Sequence, residues 1–262
     1  MTYYRFVGIK TAAPGGAGGI GGTPERSSTV LESVGNIMAF PFKDDALDLT
    51  GNHVIDTNTP SLITVDPAAA PSNHYTYDGL PMLRSATTTG FAPRIVASTQ
   101  AHQIPLSEPV TFGFFCYRRN DAATPQFMCS GPGTTSSNYG IQRQASAGWR
   151  SLGGGVTTMG DHRNMTPTGK WFHIVLAHSG SRSSSHAGAF YINGQEVWTG
   201  DLISSAPAAT DDFGFTNQST SDNSGFNGFM CNCFVTDTLL DAQTIKALSD
   251  ESFGHASPYA GP

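Results

Sequence analysis

Charge is scarce in this chain. Only 13% of its 262 residues are Asp, Glu, Lys or Arg, the net charge is -6, and no Lys/Arg run or basic helix stands out. The counter-ion release that dominates nucleic-acid binding has no source here, so no nucleic acid is expected as a partner. Long apolar runs are missing too: no segment approaches the roughly 20 residues that span a bilayer, and the opening Met-Thr-Tyr-Tyr-Arg-Phe-Val-Gly holds no signal-peptide core. The expectation is a chain made in a cytoplasm, without membrane insertion.

Cysteine is equally sparse, at four. Cys116 and Cys129 fall on separate strand-like segments. Cys231 and Cys233 lie two apart on one strand, about 6.6 Å between Cα atoms, which disfavours a disulfide within that pair. A four-thiolate zinc site would need C-x₂₋₄-C knuckles, which this C-x-C spacing does not supply, and small buried thiols are the expectation.

What the sequence does have is 30 Gly, 16 Pro and abundant Ser, Thr, Ala and Asn. Such turn formers favour many short strands over long surface helices, and a chain of this length can form one large all-β domain. The run Gly169-Lys170-Trp171-Phe172-His173-Ile174-Val175-Leu176-Ala177 reads as a largely buried strand. After a polar gap, Ala189-Phe190-Tyr191-Ile192 and Gln195-Glu196-Val197-Trp198 flank Asn193-Gly194, whose residues tolerate the positive φ of a type I′ hairpin. Val110, Phe112, Phe114 and Cys116 alternate along another strand whose opposite face is also apolar, so something must cover it, the N-terminal arm or a neighbour.

The first 35 residues read as an arm. Strand-like Tyr3 to Ile9 runs into Pro14-Gly15-Gly16-Ala17-Gly18-Gly19-Ile20-Gly21-Gly22. Fixing those nine residues would cost on the order of 10 kcal/mol, so an ordered arm must be clamped by its own domain or by neighbouring subunits. Tyr3, Tyr4, Phe6, Ile9 and Ile20 are the expected assembly contacts, and a homo-oligomer is expected.

The order of these features resembles the LamG-like branch of the concanavalin A-like jelly rolls, in which G-x-W-x-H-V-A precedes a strand ending Y-V-N-G. Ile37 to Phe42, followed by Asp48-Leu49-Thr50-Gly51-Asn52, resembles that family's opening strand and its D-x-S-G-N turn. Phe213-Gly214-Phe215 and Gly225 to Val235 resemble its closing pair, with Cys231 and Asn232 standing where the family has an acidic dipeptide. Leu239 to Leu248 resembles its C-terminal helix, in which Asp241 would cap the N-terminus and Leu240 and Ile245 would form a hydrophobic staple. The resemblance implies an all-β sandwich of two antiparallel sheets with one short C-terminal helix and an extended N-terminal arm: arm 1–35, jelly roll 36–250, tail 251–262.

Sugar-cleaving relatives of this fold carry paired carboxylates in an E-x-D-x-x-E signature. No such triplet is present; Glu25, Glu32, Glu108, Glu196 and Glu251 are scattered, so no catalytic residue and no enzyme activity are expected. His173 reads as a packed core residue, and Asp161-His162-Arg163 lacks a nucleophile elbow. Calcium, which relatives hold with loop oxygens, has weak candidates in Asp44, Asp45 and Asp48 with Asn52, and in Asp211, Asp212 and Asp222; Asx turns explain both groups equally. A glycan would need aromatic faces beside polar groups. Tyr139, Trp149, Arg150, Asp161, His162 and Arg163 offer that mixture on segments expected to be rim loops, with Trp149 as the stacking face.

Two classes of function stay open. One is a non-enzymatic structural, decoration or adhesion protein of a virus particle, a bacteriophage in the first place, whose arm docks on a capsid or tail while the jelly roll faces outward toward a cell-surface glycan. The other is a free carbohydrate-binding module; a glycoside hydrolase is a remote third.

Overall fold

The computed structural model describes residues 29–34, 37–40, 49–50, 54–56, 75–77, 83–84, 94–96, 109–118, 126–130, 140–152, 155–180, 186–202, 213–215 and 228–258. Among these residues two helices, α1 (Thr29–Val34) and α2 (Ala242–His255), accompany sixteen strands. The early strands are short: β1 (Met38–Phe40), β2 (Val54–Asp56), β3 (Tyr75–Tyr77), β4 (Leu83–Arg84) and β5 (Arg94–Val96). Longer ones follow in β6 (Val110–Arg118), β7 (Gln126–Ser130), β8 (Gly140–Gln144), β9 (Gly148–Leu152), β10 (Val156–Gly160) and β11 (Trp171–His178). The remainder are β12 (His186–Ile192), β13 (Gln195–Leu202), β14 (Phe213–Phe215), β15 (Gly228–Thr236) and β16 (Ala256–Pro258).

Among the described residues the strands form two seven-stranded antiparallel sheets. Sheet A runs β1-β15-β6-β11-β12-β13, with β4 also on β15; sheet B runs β10-β9-β8-β7-β14-β5-β2. The segments resembling a closing pair therefore part company, β14 joining sheet B and β15 sheet A. Between the layers lie Phe112, Phe114, Phe172, Ile174 and Phe190 of sheet A, packed against Ile141, Trp149 and Met159 of sheet B. Burying each such side chain stabilises by about 1.5 to 3 kcal/mol, which is why the two apolar faces meet.

The β11-β12-β13 meander forms as the sequence implies. Asn193 and Gly194 adopt φ of 55° and 76° between Ile192 and Gln195, the left-handed pair of a type I′ turn. Asn193 also ties the turn to β11: its amide donates to His173 O at 2.8 Å, and its Oδ1 accepts from His173 N at 2.9 Å. A Cβ at Gly194 would stand 2.7 Å from Lys246 Cδ, so glycine is also what lets α2 lie against the turn.

The outer face of sheet A is covered from within the chain. Val175, Ala177, Tyr191 and Phe234 meet Leu240, Ile245 and Leu248 of the α2 segment and Leu31 of α1. Asp241 caps α2 as expected: Thr244 N donates to Asp241 Oδ1 at 2.7 Å, and that bond holds the carboxyl below its ordinary value. Leu240 and Ile245 share one apolar cluster, as a hydrophobic staple requires. α1 is pinned in turn, Val30 N donating to Glu251 Oε2 at 3.0 Å.

The expected boundaries shift accordingly. Residues 29–34 of the arm are a helix on sheet A, residues 251–255 finish α2 rather than begin a tail, and β16 pairs with β3. Tyr3, Tyr4, Phe6, Ile9 and Ile20 lie outside the described residues, as do Asp44, Asp45, Asp48, Asn52, Asp211, Asp212 and Asp222. Cys116, Cys231 and Cys233 are buried, as expected.

Candidate functional site

Residues 140–160 are where the structure departs most from the sequence reading. They form the strands β8, β9 and β10, rather than rim loops, and successive side chains alternate between the two faces of sheet B. Ile141, Trp149 and Met159 point inward, into the interlayer core. Arg143 pairs in register with Trp149 and shares that side. The alternate residues Gln142, Gln144, Arg150, Leu152, Val156 and Thr158 take the other side, where Gln142 and Leu152 are buried and Val156 and Thr158 exposed.

Trp149 consequently cannot be the stacking platform. Its exposure is 0%; its ring meets Phe172 edge-on at 6.0 Å and Phe190 at 5.7 Å, and its Nε1 donates to Thr166 Oγ1 at 3.2 Å. An indole with both faces packed has none left for a sugar.

The other expected residues split. Asp161 accepts from Arg143 Nη2 at 3.0 Å and from Arg163 Nε at 2.8 Å, so its carboxylate is committed to two guanidinium groups. Arg163 also donates to Ala145 O, and Arg143 to Gln144 O. His162, at φ 39°, turns its ring back so that Nε2 donates to Met159 O at 2.8 Å. Gly160 accommodates that ring, since a Cβ there would lie 2.6 Å from His162 Nε2. This corner is a structural lock around the end of β10. Arg150 stands apart from it on the outer face, and Tyr139 lies outside the described residues.

Arg150 has a different set of neighbours. The register aligns Thr158 with Arg150 and Arg150 with Gln142, giving one row across β10, β9 and β8, with Gln144 beside Gln142 on the same strand. Thr158 is exposed, Arg150 half-buried, and Gln142 only 4% exposed. Gln142 Oε1, Arg150 Nε and Gln144 Oε1 are buried without a hydrogen-bond partner. A buried polar atom left unpaired costs about 1 to 3 kcal/mol, so these atoms on neighbouring strands form a standing deficit. Thr158 and the half-buried guanidinium of Arg150 are the groups of this row that a hydroxyl-bearing ligand can reach. Gln142 lay within the stretch read as a polar and aromatic mixture without being singled out, and Gln144 was missed; their signal was the alternation of Ile141 and Arg143 with Gln142 and Gln144.

No Asp, Glu, His or Cys occupies the outward positions of β8, β9 and β10. The row is suited to hydrogen bonding rather than proton transfer. Elsewhere, His173 is buried as expected; its ring Nδ1 lacks a partner, and desolvation lowers its pKa to about 3. His178 Nδ1 lies 2.9 Å from His186 Nε2, and burial followed by repulsion from His186 holds it at about 3 as well. Among the described residues no group of three or more His, Cys, Asp and Glu is placed to hold a metal ion, and no helix is long and apolar enough to cross a membrane.

A groove of about 340 Å³ lies on the opposite side, against sheet A, lined by Ala177, Gly188, Ala189, Thr199 and Leu240 among others. Its polar groups are partly spent: Ser179 Oγ donates to Ala187 O at 2.7 Å, and Tyr191 Oη to Glu196 Oε2 at 3.1 Å. The outer row of sheet B is therefore the better-formed polar site.

Two antiparallel layers with a helix laid over one of them define a concanavalin A-like jelly-roll sandwich. The chain belongs to the Concanavalin A-like lectin/glucanases superfamily: the Laminin_G_3 family model matches residues 94–246, more than half of the sequence. Among similar solved structures is the binding domain of Paraclostridial Mosquitocidal Protein 1, with 13% identity and a TM-score of 0.57 over 85% of this chain and 53% of that one. The receptor binding domain of the botulinum neurotoxin C/D mosaic serotype gives 10% and 0.55 over 84% and 51%, and Trypanosoma rangeli sialidase 12% and 0.50 over 81% and 32%. The chain thus spans about half the length of the first two and a third of the sialidase, and the likeness is one of fold. Comparison with curated proteins finds no match.

Proposed function

We propose that this protein is a non-enzymatic glycan-binding module, displayed in many copies on a larger assembly, in the first place a bacteriophage particle. The observation that carries the binding role is the row of exposed Thr158 and half-buried Arg150 across β10 and β9, in which Arg150 has no ion pair or side-chain hydrogen bond among the described residues. Saccharides present dense hydroxyls that donate and accept at once, and they suit a hydroxyl and a guanidinium set in one row. The superfamily and the neighbouring binding domains agree with a recognition role. The absence of carboxylates along the row argues against glycoside cleavage there, which needs an acid and a second carboxylate at fixed separation.

Display rests on the placement of α1. That helix lies on the outer face of sheet A, so the segment preceding Thr29 joins the domain on the side away from the row on sheet B. A tether there leaves the exposed Thr158 and half-buried Arg150, on the opposite side, for a target. A millimolar site is worth only about 4 kcal/mol, and repeated copies raise avidity by roughly 10² to 10⁴.

A glycan array probed with the full chain and with Arg150→Ala tests the binding role. The full chain should give saccharide signals that the variant loses at an unchanged melting temperature; signals that persist would move the site elsewhere. Removing residues 1–28 should abolish association with particles while leaving array binding intact. A truncated monomer that still joins particles would defeat the display reading.

A further inference from the structure

We infer that the groove against sheet A holds residues 3–10 of the same chain, with apolar side chains of that segment in the groove and one of its cations, Arg5 or Lys10, on Asp201. This goes beyond the binding role proposed above and does not depend on it; it gives the arm a resting place before any particle is met. The groove is open at its rim and apolar within. Ala187, Thr199 and Asp201 are exposed, Leu239 is 49% exposed, and the small residues Ala177, Gly188 and Ala189 leave the space between them. An exposed leucine beside such a floor is apolar surface in want of a cover. Asp201 forms no ion pair among the described residues, and no Lys or Arg is among the described residues that line the groove.

Three observations select the arm as the occupant. The first is continuity: Ala177, Tyr191 and Leu240 line the groove and also belong to the apolar cluster that receives Leu31 of α1. The chain preceding Thr29 therefore sets out beside the groove, on the same face of sheet A. The second is reach. Residues 11–28 lie between, and a Gly-rich stretch of that length averages on the order of 20 Å from end to end, enough to double back over strands spaced about 4.8 Å apart. The third is composition. Tyr3, Tyr4, Phe6, Val7 and Ile9 supply apolar groups, Arg5 and Lys10 supply positive charge, and no Asp or Glu precedes Glu25, in a chain whose net charge is -6. A cation flanked by apolar side chains complements a carboxylate at the rim of an apolar groove. A second copy offers the same arm, but tethering gives the chain's own arm an effective concentration in the millimolar range, which a neighbour in dilute solution does not match.

Trypsin tests this on the full chain, because it cuts after Arg5 and Lys10. At millimolar effective concentration, a segment affinity of about 0.1 mM keeps the arm docked about 90% of the time, so cleavage at these sites should be about 10-fold slower than in a synthetic peptide of residues 1–14. The protection should be equal at about 1 and about 100 µM protein. Ala187→Trp, which fills the groove from an exposed position, should restore the peptide's rate, and Asp201→Lys, also exposed, should raise cleavage several-fold, each at an unchanged melting temperature. Cleavage of the wild type at the peptide's rate, or protection that both variants keep, would overturn the inference. Protection lost on dilution would hand the groove to a neighbour's arm and overturn the same-chain docking. None of these outcomes bears on saccharide binding, which the glycan array reads separately.

Discussion

Trp149 and Thr166 are joined across the sandwich: the indole Nε1 donates to Thr166 Oγ1 at 3.2 Å, and that hydroxyl donates onward to His162 O at 3.0 Å. This relay fixes the β10–β11 connection against the core and explains why the most conspicuous aromatic of the β8–β9 hairpin is turned inward. A buried indole that keeps its polar atom bonded contributes packing without a desolvation cost.

Trp149→Ala should therefore act on stability. Emptying a fully buried tryptophan site costs about 3 to 5 kcal/mol, or roughly 10 °C in melting temperature for a chain of this size. Trp149→Phe should recover most of the packing but lose the bond to Thr166, a loss of about 1 kcal/mol. Thermal unfolding followed by circular dichroism distinguishes them. An unchanged melting temperature for Trp149→Ala would return the indole to the surface and contradict its packing on Phe172 and Phe190.

The contrast between Trp149 and Arg150 marks where sequence patterns stop. Asn193-Gly194 was readable because its requirement is local: two residues at positive φ. The strand from Trp171 to His178 was readable because it is buried on both faces and so is apolar except for its two histidines. In Gly148-Trp149-Arg150-Ser151-Leu152 the inward residues are Trp149 and Ser151 and the outward ones Arg150 and Leu152, so neither side is uniformly polar and the period of two is hidden. The row of Thr158, Arg150 and Gln142 exists only through pairing registers, and a register is a property of three strands together. Likewise the apolar outer side of β6 called for a cover, but that α2 supplies it, Phe253 meeting Phe115 edge-on at 5.1 Å, follows from Asp241, Leu240 and Ile245 directing the helix back across sheet A.

Acid should weaken the fold through His173. Its burial lowers the folded-state pKa to about 3 against 6.5 in the unfolded chain, so between those values the unfolded state holds the extra proton. Stability is complete above pH 6.5 and falls as pH drops, by about 1.4 kcal/mol per unit from this ring, or about 2 kcal/mol by pH 5. His178 adds a loss of the same sign. Denaturant unfolding at pH 7.5 and 5.0 reads the slope, and ring-proton NMR reads the site: His173 should not titrate above pH 4. A ring titrating near 6.5 in the folded protein would mean it is solvated.

Asn232 occupies the place where relatives are expected to carry an acidic residue, and here it serves the fold in two ways. Its φ of 47° makes the bulge that shifts the β15–β6 register between Cys231 and Phe234. Its Nδ2 donates to Ser252 Oγ of α2 at 3.1 Å, in a buried setting. Two substitutions separate these contributions. Asn232→Gly keeps the left-handed backbone accessible but loses the side-chain bond, at a cost of about 1 kcal/mol. Asn232→Ala loses the bond and also forces a Cβ into the left-handed region, adding about 1 to 2 kcal/mol. Chemical denaturation should thus rank wild type above Asn232→Gly and Asn232→Gly above Asn232→Ala, with slower amide exchange in α2 of the wild type than of either variant. Equal stabilities for the two variants would show that the bulge does not depend on the left-handed residue, and exchange unaltered in α2 would show that Ser252 is held by other contacts.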